Sequence, residues 1–121
     1  MSKKILVVDD ETDINDLLVD YLKVKGYDKL TALTTGREAI EFIKRQKPDV
    51  VFLDIMLADE IDGLKVLQEG RAASPDTKFV MMSAYKEDYG SKARELGSYA
   101  FLGKPVKIPV IREILKELGK S

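Results

Sequence analysis

Five polar residues stand where four short apolar runs stop, and their types fit one kind of chemistry. Ile5-Leu6-Val7-Val8 ends in Asp9-Asp10, and Val50-Val51-Phe52-Leu53 ends in Asp54. Phe79-Val80-Met81-Met82 ends in Ser83, and Tyr99-Ala100-Phe101-Leu102 is followed, after Gly103, by Lys104. Three carboxylates packed into a partly dry crevice raise one another's pKa unless a cation joins them. Three oxygens completed by water suit Mg²⁺, which is hard, octahedral and slow to give up all its water. A hydroxyl and an ammonium beside that metal make a receptor for a phosphoryl group. The metal and Lys104 neutralise its oxygens, and Ser83 donates a hydrogen bond. A carboxylate can itself be the nucleophile in phosphoryl transfer, giving an aspartyl phosphate.

Taken singly, each residue has a plainer role. Asp9 or Asp10 could cap the first helix, Ser83 could be a turn residue, and Lys104 could be a solvated surface lysine. Asp54 could cap the next helix, although that helix starts late for the purpose. The combination is more specific than any member, because chance rarely ends four strands of one sheet in acid, acid, hydroxyl and ammonium.

Composition narrows the chemistry further. At 121 residues, 45% hydrophobic and 34% charged, the chain is expected to form one domain over 1–121 with a sizeable core. A net charge of −1 gives no electrostatic case for nucleic acid or an anionic membrane. There is no signal peptide and no transmembrane run, so a cytoplasmic protein without membrane insertion is expected. Cysteine and histidine are both absent. Disulfides, thiol nucleophiles and thiolate metal sites are thereby excluded, as is the commonest general base. Carboxylates, hydroxyls, lysine and backbone must do the work.

The elements that position these residues are legible as alternating strands and helices. Lys3 to Val8 reads as the first strand. A helix follows with Ile14, Leu17, Leu18, Tyr21 and Leu22 on its inward stripe and Gly26 at its end. Lys29 to Leu33 is a second strand. Thr35-Gly36-Arg37-Glu38 is a capping box for a helix packing through Ala39, Ile40 and Ile43. Pro48 to Asp54, apolar without alternation, reads as a central strand buried on both faces. After a loop from Ile55 to Asp62, Gly63 opens a third helix with Leu64 and Leu67 inward, which Gly70 weakens near its end. Ser74-Pro75-Asp76 is turn chemistry. A poorly patterned helix from about Glu87 to Leu96, with Gly90 inside it and Gly97 after it, follows the fourth strand. The last helix starts at Pro109, buries Ile111, Ile114, Leu115 and Leu118, and closes at Gly119. Lys120-Ser121 reads as a tail. Such a chain is a doubly wound α/β fold with right-handed crossovers. The strand order 2-1-3-4-5 of flavodoxin-like folds would put the ligand crevice between strands one and three. Asp9, Asp10 and Asp54 would meet there, with Ser83 and Lys104 alongside.

On these residues the chain resembles the receiver domain of two-component response regulators. The resemblance rests on Ile5-Leu6-Val7-Val8-Asp9-Asp10-Glu11, Val51-Phe52-Leu53-Asp54-Ile55-Met56, Asp62-Gly63, Met82-Ser83-Ala84, and Gly97 through Lys104-Pro105, and it covers essentially the whole chain. It implies a flavodoxin-like (βα)5 three-layer sandwich with a five-stranded parallel sheet. It also implies that Asp54 is the phosphoacceptor and Asp10 a direct Mg²⁺ ligand. Asp9 would act through water, and Met56 would add its main-chain carbonyl. Ser83 and Phe101 would be the switch residues, and Lys104-Pro105 a cis bond. The phosphoryl donor would be a histidine kinase or histidine phosphotransfer protein, and the output a downstream protein target or effector domain. Such a domain is a signalling phosphoacceptor rather than an enzyme, with self-catalysed transfer and slow autodephosphorylation. Dimerisation through the fourth and fifth helices is left open.

Three features depart from that pattern. The family usually has a proline where this chain has Ala58, and its Asp-Gly pair comes one residue sooner than Asp62-Gly63. The loop therefore carries one extra residue and two extra acids, Asp59 and Glu60, which bears on metal access and loop stability. The stretch from Ala84 to Gly97 is about one residue short, so the fourth helix is expected to be short. Three other readings compete. A haloacid-dehalogenase-like phosphatase would want a second acid where Met56 stands. A flavin carrier would want a glycine- and hydroxyl-rich loop where Asp9-Asp10-Glu11 would repel phosphate. A phosphorylation-incompetent receiver would act only as a protein-interaction module.

Overall fold

The computed structural model describes residues 3–119, in which five strands alternate with five helices. The strands are β1 (Lys4–Val8), β2 (Lys29–Leu33), β3 (Val50–Asp54), β4 (Lys78–Ser83) and β5 (Ala100–Gly103). The helices between and after them are α1 (Thr12–Val24), α2 (Gly36–Gln46), α3 (Gly63–Ala73), α4 (Lys86–Glu95) and α5 (Ile108–Gly119). The candidate tail Lys120-Ser121 lies outside the described residues. All pairings are parallel, in the order β2-β1-β3-β4-β5. β3 lies at the centre with all five residues buried, as its continuous apolar run requires.

Strand alternation sorts the core into two layers. Leu6, Val8, Val51, Leu53, Phe79 and Met81 face one side, where α2, α3 and α4 add Ile40, Ile43, Val66, Leu67 and Ala93. Ile5, Val7, Val50, Phe52, Val80 and Met82 face the other, where α1 and α5 add Leu18, Leu22, Ile111 and Leu115. The result is the three-layer sandwich that the sequence implied.

The helix ends follow local chemistry. Gly26 takes φ 97° after α1, and the amides of Gly26 and Tyr27 reach the carbonyls of Lys23 (3.0 Å) and Leu22 (3.1 Å). Gly97, at φ 95°, ends α4 in the same way. At the start of α2 the Thr35 hydroxyl accepts from the Glu38 amide at 3.2 Å. The return arm of the box differs from expectation, since the Glu38 carboxylate accepts from the Thr35 hydroxyl at 3.0 Å instead of from its backbone amide.

Some inward stripes differ from the periodic reading. Leu17 is 41% exposed, and the polar Asn15 is buried on α1 instead. Leu64 and Ile114 are only half-buried. The inward stripe of α3 is Gly63, Val66, Leu67 and Gly70, with a glycine at each end. Gly70 is there for space. A Cβ on it would lie 2.7 Å from Cζ of Phe79, so its poor helix propensity is offset by close packing of that ring.

Candidate functional site

Sheet register brings the polar residues together. Val8 pairs with Leu53, so Asp9 and Asp54 follow side by side on β1 and β3. Asp54 pairs with Met82, and Ser83 pairs with Gly103, so Ser83 and Lys104 each stand one step further along. Alternation then divides them. Asp9, Asp54 and Lys104 continue the parity of the α1/α5 face, whereas Ser83 and Phe101 share the parity of the α2/α3/α4 face. The Lys104 amide donates to the Ser83 carbonyl at 2.9 Å, and the Lys104-Pro105 bond is cis, as expected.

Lys104 is the hub of the cluster. Its Nζ lies 2.9 Å from Asp9 Oδ2, 3.1 Å from Asp54 Oδ2 and 3.2 Å from Glu11 Oε1. Asp9 is fully buried and Asp54 is 3% exposed, while Asp10 is exposed at the rim. Burial, then the negative charge of Asp9, pushes the Asp54 carboxyl up to about 6, against the Lys104 ammonium and the Met56 amide. Burial and Asp9 also raise Asp10. Burial works against the charge on Lys104, but its two carboxylate partners outweigh burial and hold its pKa above the ordinary value.

The residues fit a hard divalent cation. Asp9, Asp10 and Asp54 can each offer one carboxylate oxygen, all within 4.8 Å of one another. Asp9 Oδ2 is buried without a hydrogen bond; the ammonium lies within ion-pair distance but off a hydrogen-bonding line. An all-oxygen set with one such under-satisfied carboxylate suits Mg²⁺. Asp10 and Asp54 open onto a cleft of about 270 Å³ lined also by Glu11, Met56, Ala84, Tyr85 and Lys104, while Asp9 is buried beneath it. Met56 thus flanks the cleft, and its amide donates to Asp54 Oδ1 at 3.3 Å. Ser83 is buried behind the wall, its Oγ accepting from the Tyr85 amide at 2.9 Å, which leaves its own proton free to donate. Phe101 lies away from the cleft, half-buried against the α2/α3/α4 layer.

Several participants carry no signal strong enough to assign them from sequence. Glu11 appeared only as part of a motif, yet it completes the ammonium's shell. Asn15 Nδ2 donates to the carbonyls of Asp9 (2.9 Å) and Leu33 (3.1 Å), tying the turn after β1 to the end of β2. Gly63 permits α3 to start against Asp54, because a Cβ there would collide with the Asp54 carbonyl oxygen and lie 2.6 Å from Ile55 Cα. Asp59, read only as an extra loop acid, accepts from the amides of Gly36 (3.0 Å) and Arg37 (3.1 Å).

The chain is similar to known proteins along nearly its whole length. The family model described as response regulator receiver domain matches residues 5–116. Sporulation initiation phosphotransferase F of Bacillus subtilis is 31% identical over 118 residues, covering 97% of this chain and 94% of that protein. Chemotaxis protein CheY of Thermotoga maritima is 31% identical over 121 residues, covering 99% of this chain and all of the other. The crystal structure of the receiver domain of NtrX from Brucella abortus superposes with a TM-score of 0.88 at 32% identity, covering 98% and 99% of the two chains. Among the described residues, no helix is long and apolar enough to cross a membrane.

Proposed function

The chain belongs to the response regulator receiver domain family, and from that premise we propose that residues 1–121 act as one phosphoacceptor switch. The observation that carries this reading is Asp54 itself. It is a buried carboxylate at the end of the central strand, 3.1 Å from Lys104 and within reach of Asp9 and Asp10. Asp54 Oδ attacks the phosphorus of a phosphohistidine in line. The P–N bond breaks as the P–O bond forms, leaving an aspartyl phosphate and a free imidazole. These 121 residues contain no histidine, so the donor imidazole lies outside them, on a histidine kinase or phosphotransfer protein.

Each neighbour then has a separate task. Asp10, Asp54 and the Met56 main-chain carbonyl, with Asp9 acting through water, would hold Mg²⁺, which when bound would supply positive charge for the transferred group. Lys104 pairs with a phosphoryl oxygen and so exchanges a carboxylate partner for a phosphate partner. Ser83 turns its free proton toward the phosphoryl group. Phe101, on the same sheet face as Ser83, repacks with it and biases the surface around α4 and β5 between two states. A downstream protein or effector domain reads that surface. The domain signals and does not turn over an external substrate.

Intact mass after incubation with Mg²⁺ and acetyl phosphate tests the reading, with Asp54→Asn run beside it. One added phosphoryl group, lost without metal and lost in the variant, is expected. No adduct from acetyl phosphate or from a phosphohistidine donor would overturn it and leave a module that acts by docking alone.

A further inference from the structure

The loop from Ile55 to Asp62 is held firmly at its two ends. The Ile55 amide donates to the Met82 carbonyl at 3.0 Å, and the Gly63 amide donates to the Ile55 carbonyl at 2.8 Å. Asp62 caps α3 by accepting from the Lys65 amide at 3.0 Å. Between those ends, residues 57–61 make no backbone–backbone hydrogen bond among the described residues. The tether is a side chain. Asp59 places one oxygen on the Gly36 amide at 3.0 Å and the other on the Arg37 amide at 3.1 Å. Glu60 pairs with the Arg37 guanidinium beside it. Packing seals the same contact, since a Cβ on Gly36 would lie 2.8 Å from Ile61 Cγ2 and would strike the Ile61 carbonyl.

This is a shared helix cap. Thr35 satisfies the Glu38 amide, and Asp59 satisfies the two amides before it. Three orphan donors of α2 are therefore met by two segments more than twenty residues apart. A carboxylate at a helix N-terminus is favoured by the helix dipole as well as by its hydrogen bonds. Slight burial pushes Asp59 upward, but the Gly36 and Arg37 amides hold it below the ordinary carboxylate range, so it stays a charged acceptor at neutral pH.

We infer that Asp59 is a positioning residue for the metal site, and that Mg²⁺ binding is thereby coupled to the N-terminus of α2. Met56 lies three residues before Asp59 on the same loop, and its amide touches the acceptor carboxylate. Where Ala58 leaves the backbone free to turn, the Asp59 tether fixes the path that holds the Met56 main chain at the cleft. Coupling is reciprocal, so a ligand that orders the loop must also strengthen the α2 cap. The inference rests on the phosphoacceptor reading only in taking Mg²⁺ as the ligand.

Isothermal titration of the full chain with MgCl2 tests it, in the wild type, Asp59→Ala and Asp59→Asn, with urea unfolding alongside. Asp59→Ala should raise the Mg²⁺ Kd about fivefold, the low end of typical site-to-site coupling. Asp59→Asn, which keeps one acceptor oxygen, should fall between, and it is read alone if the alanine variant does not fold. Hydrogen exchange supplies the readout that a merely structural role would not move. Mg²⁺ should slow exchange of the Gly36 and Arg37 amides in the wild type and leave them unchanged in Asp59→Ala. Lower stability with an unchanged Kd would overturn this inference alone. A wild type that binds no Mg²⁺ would overturn it together with the metal-dependent reading of the site.

Discussion

Lys104 Nζ and Asp54 Oδ2, fifty residues apart in the chain, meet at 3.1 Å at the ends of β5 and β3. The same ammonium contacts the fully buried Asp9, so one cation is shared by two carboxylates that the sheet register forces together, and one negative charge is left over. On the proposed function Lys104 would have two tasks, holding these carboxylates in the fold before it assists any transfer. A divalent ion entering the cleft must share the carboxylates with it.

Lys104→Met should expose that dual role. Removing one member of a buried ion pair leaves an uncompensated charge, here relieved in part when Asp54 takes up a proton. Unfolding free energy measured in urea without metal should fall by about 2 kcal/mol at pH 8. At pH 5, where protonation relieves the repulsion, the loss should be smaller. Mg²⁺ should bind the variant at least as tightly as the wild type, while phosphoryl uptake from acetyl phosphate drops. An equal loss of stability at both pH values would show that Lys104 acts by packing rather than by charge.

Protonation of Asp54 gives a pH signature with a definite sign. Its carboxyl is raised from 3.8 to about 6 by burial and then by Asp9. The native state therefore holds more protons than the unfolded chain between those values, and its stability decreases as pH rises through that window, levelling off above it. Mg²⁺ needs the ionised form, so its Kd should weaken about tenfold for each pH unit below about 6. Calorimetric titration at pH 5, 6, 7 and 8 measures this. A Kd that is flat across the series would mean that Asp54 does not ligate the ion.

Two glycines provide a matched pair for testing how closely α3 must approach Asp54. Gly63→Ala places a methyl group against the Asp54 main chain, which cannot move without dragging the Asp54 carboxylate. It should lower stability by more than about 2 kcal/mol and depress phosphoryl uptake. Gly103→Ala, in β5 with nothing within 4 Å of the new Cβ, should change stability by less than about 0.5 kcal/mol. Urea unfolding of both variants decides the matter, and similar losses would mean that Gly63 acts through backbone entropy alone.

The residues that the sequence made legible are those whose cue is local. An acid that ends a continuous apolar run, as Asp54 and Asp9 do, marks both a central strand and its ligand end. Strand parity then places Lys104 with the acids and Ser83 with Phe101. What was hidden depends on partners distant in sequence. Asn15 is buried where Leu17 was expected because a polar side chain was needed to bridge the carbonyls of Asp9 and Leu33. Asp59 looked like surplus charge because the amides it caps lie 22 and 23 residues earlier. Gly70 looked like a helix breaker because the Phe79 ring that fills its space belongs to another element.

The cleft's two large flanking side chains should set how long the phosphoryl group survives. Met56 is 50% exposed and Tyr85 is 54% exposed, and both line the opening above Asp54. Hydrolysis of an aspartyl phosphate needs a water in line with the P–O bond, arriving from the open side. Asp54 and Lys104 lie at the inner end of the cleft, and these two side chains narrow the approach of that water. Replacing both with small polar residues, as in Met56→Asn with Tyr85→Ser, removes the obstruction and adds groups that can hold the water. Dephosphorylation followed by intact mass should speed up by about tenfold, equivalent to about 1.4 kcal/mol in the barrier. Asp54 and Lys104 are untouched by this change, so the rate of phosphoryl uptake should move much less than the rate of loss. An unchanged lifetime would place the limiting step inside the cluster, at the attack itself rather than at the approach of water.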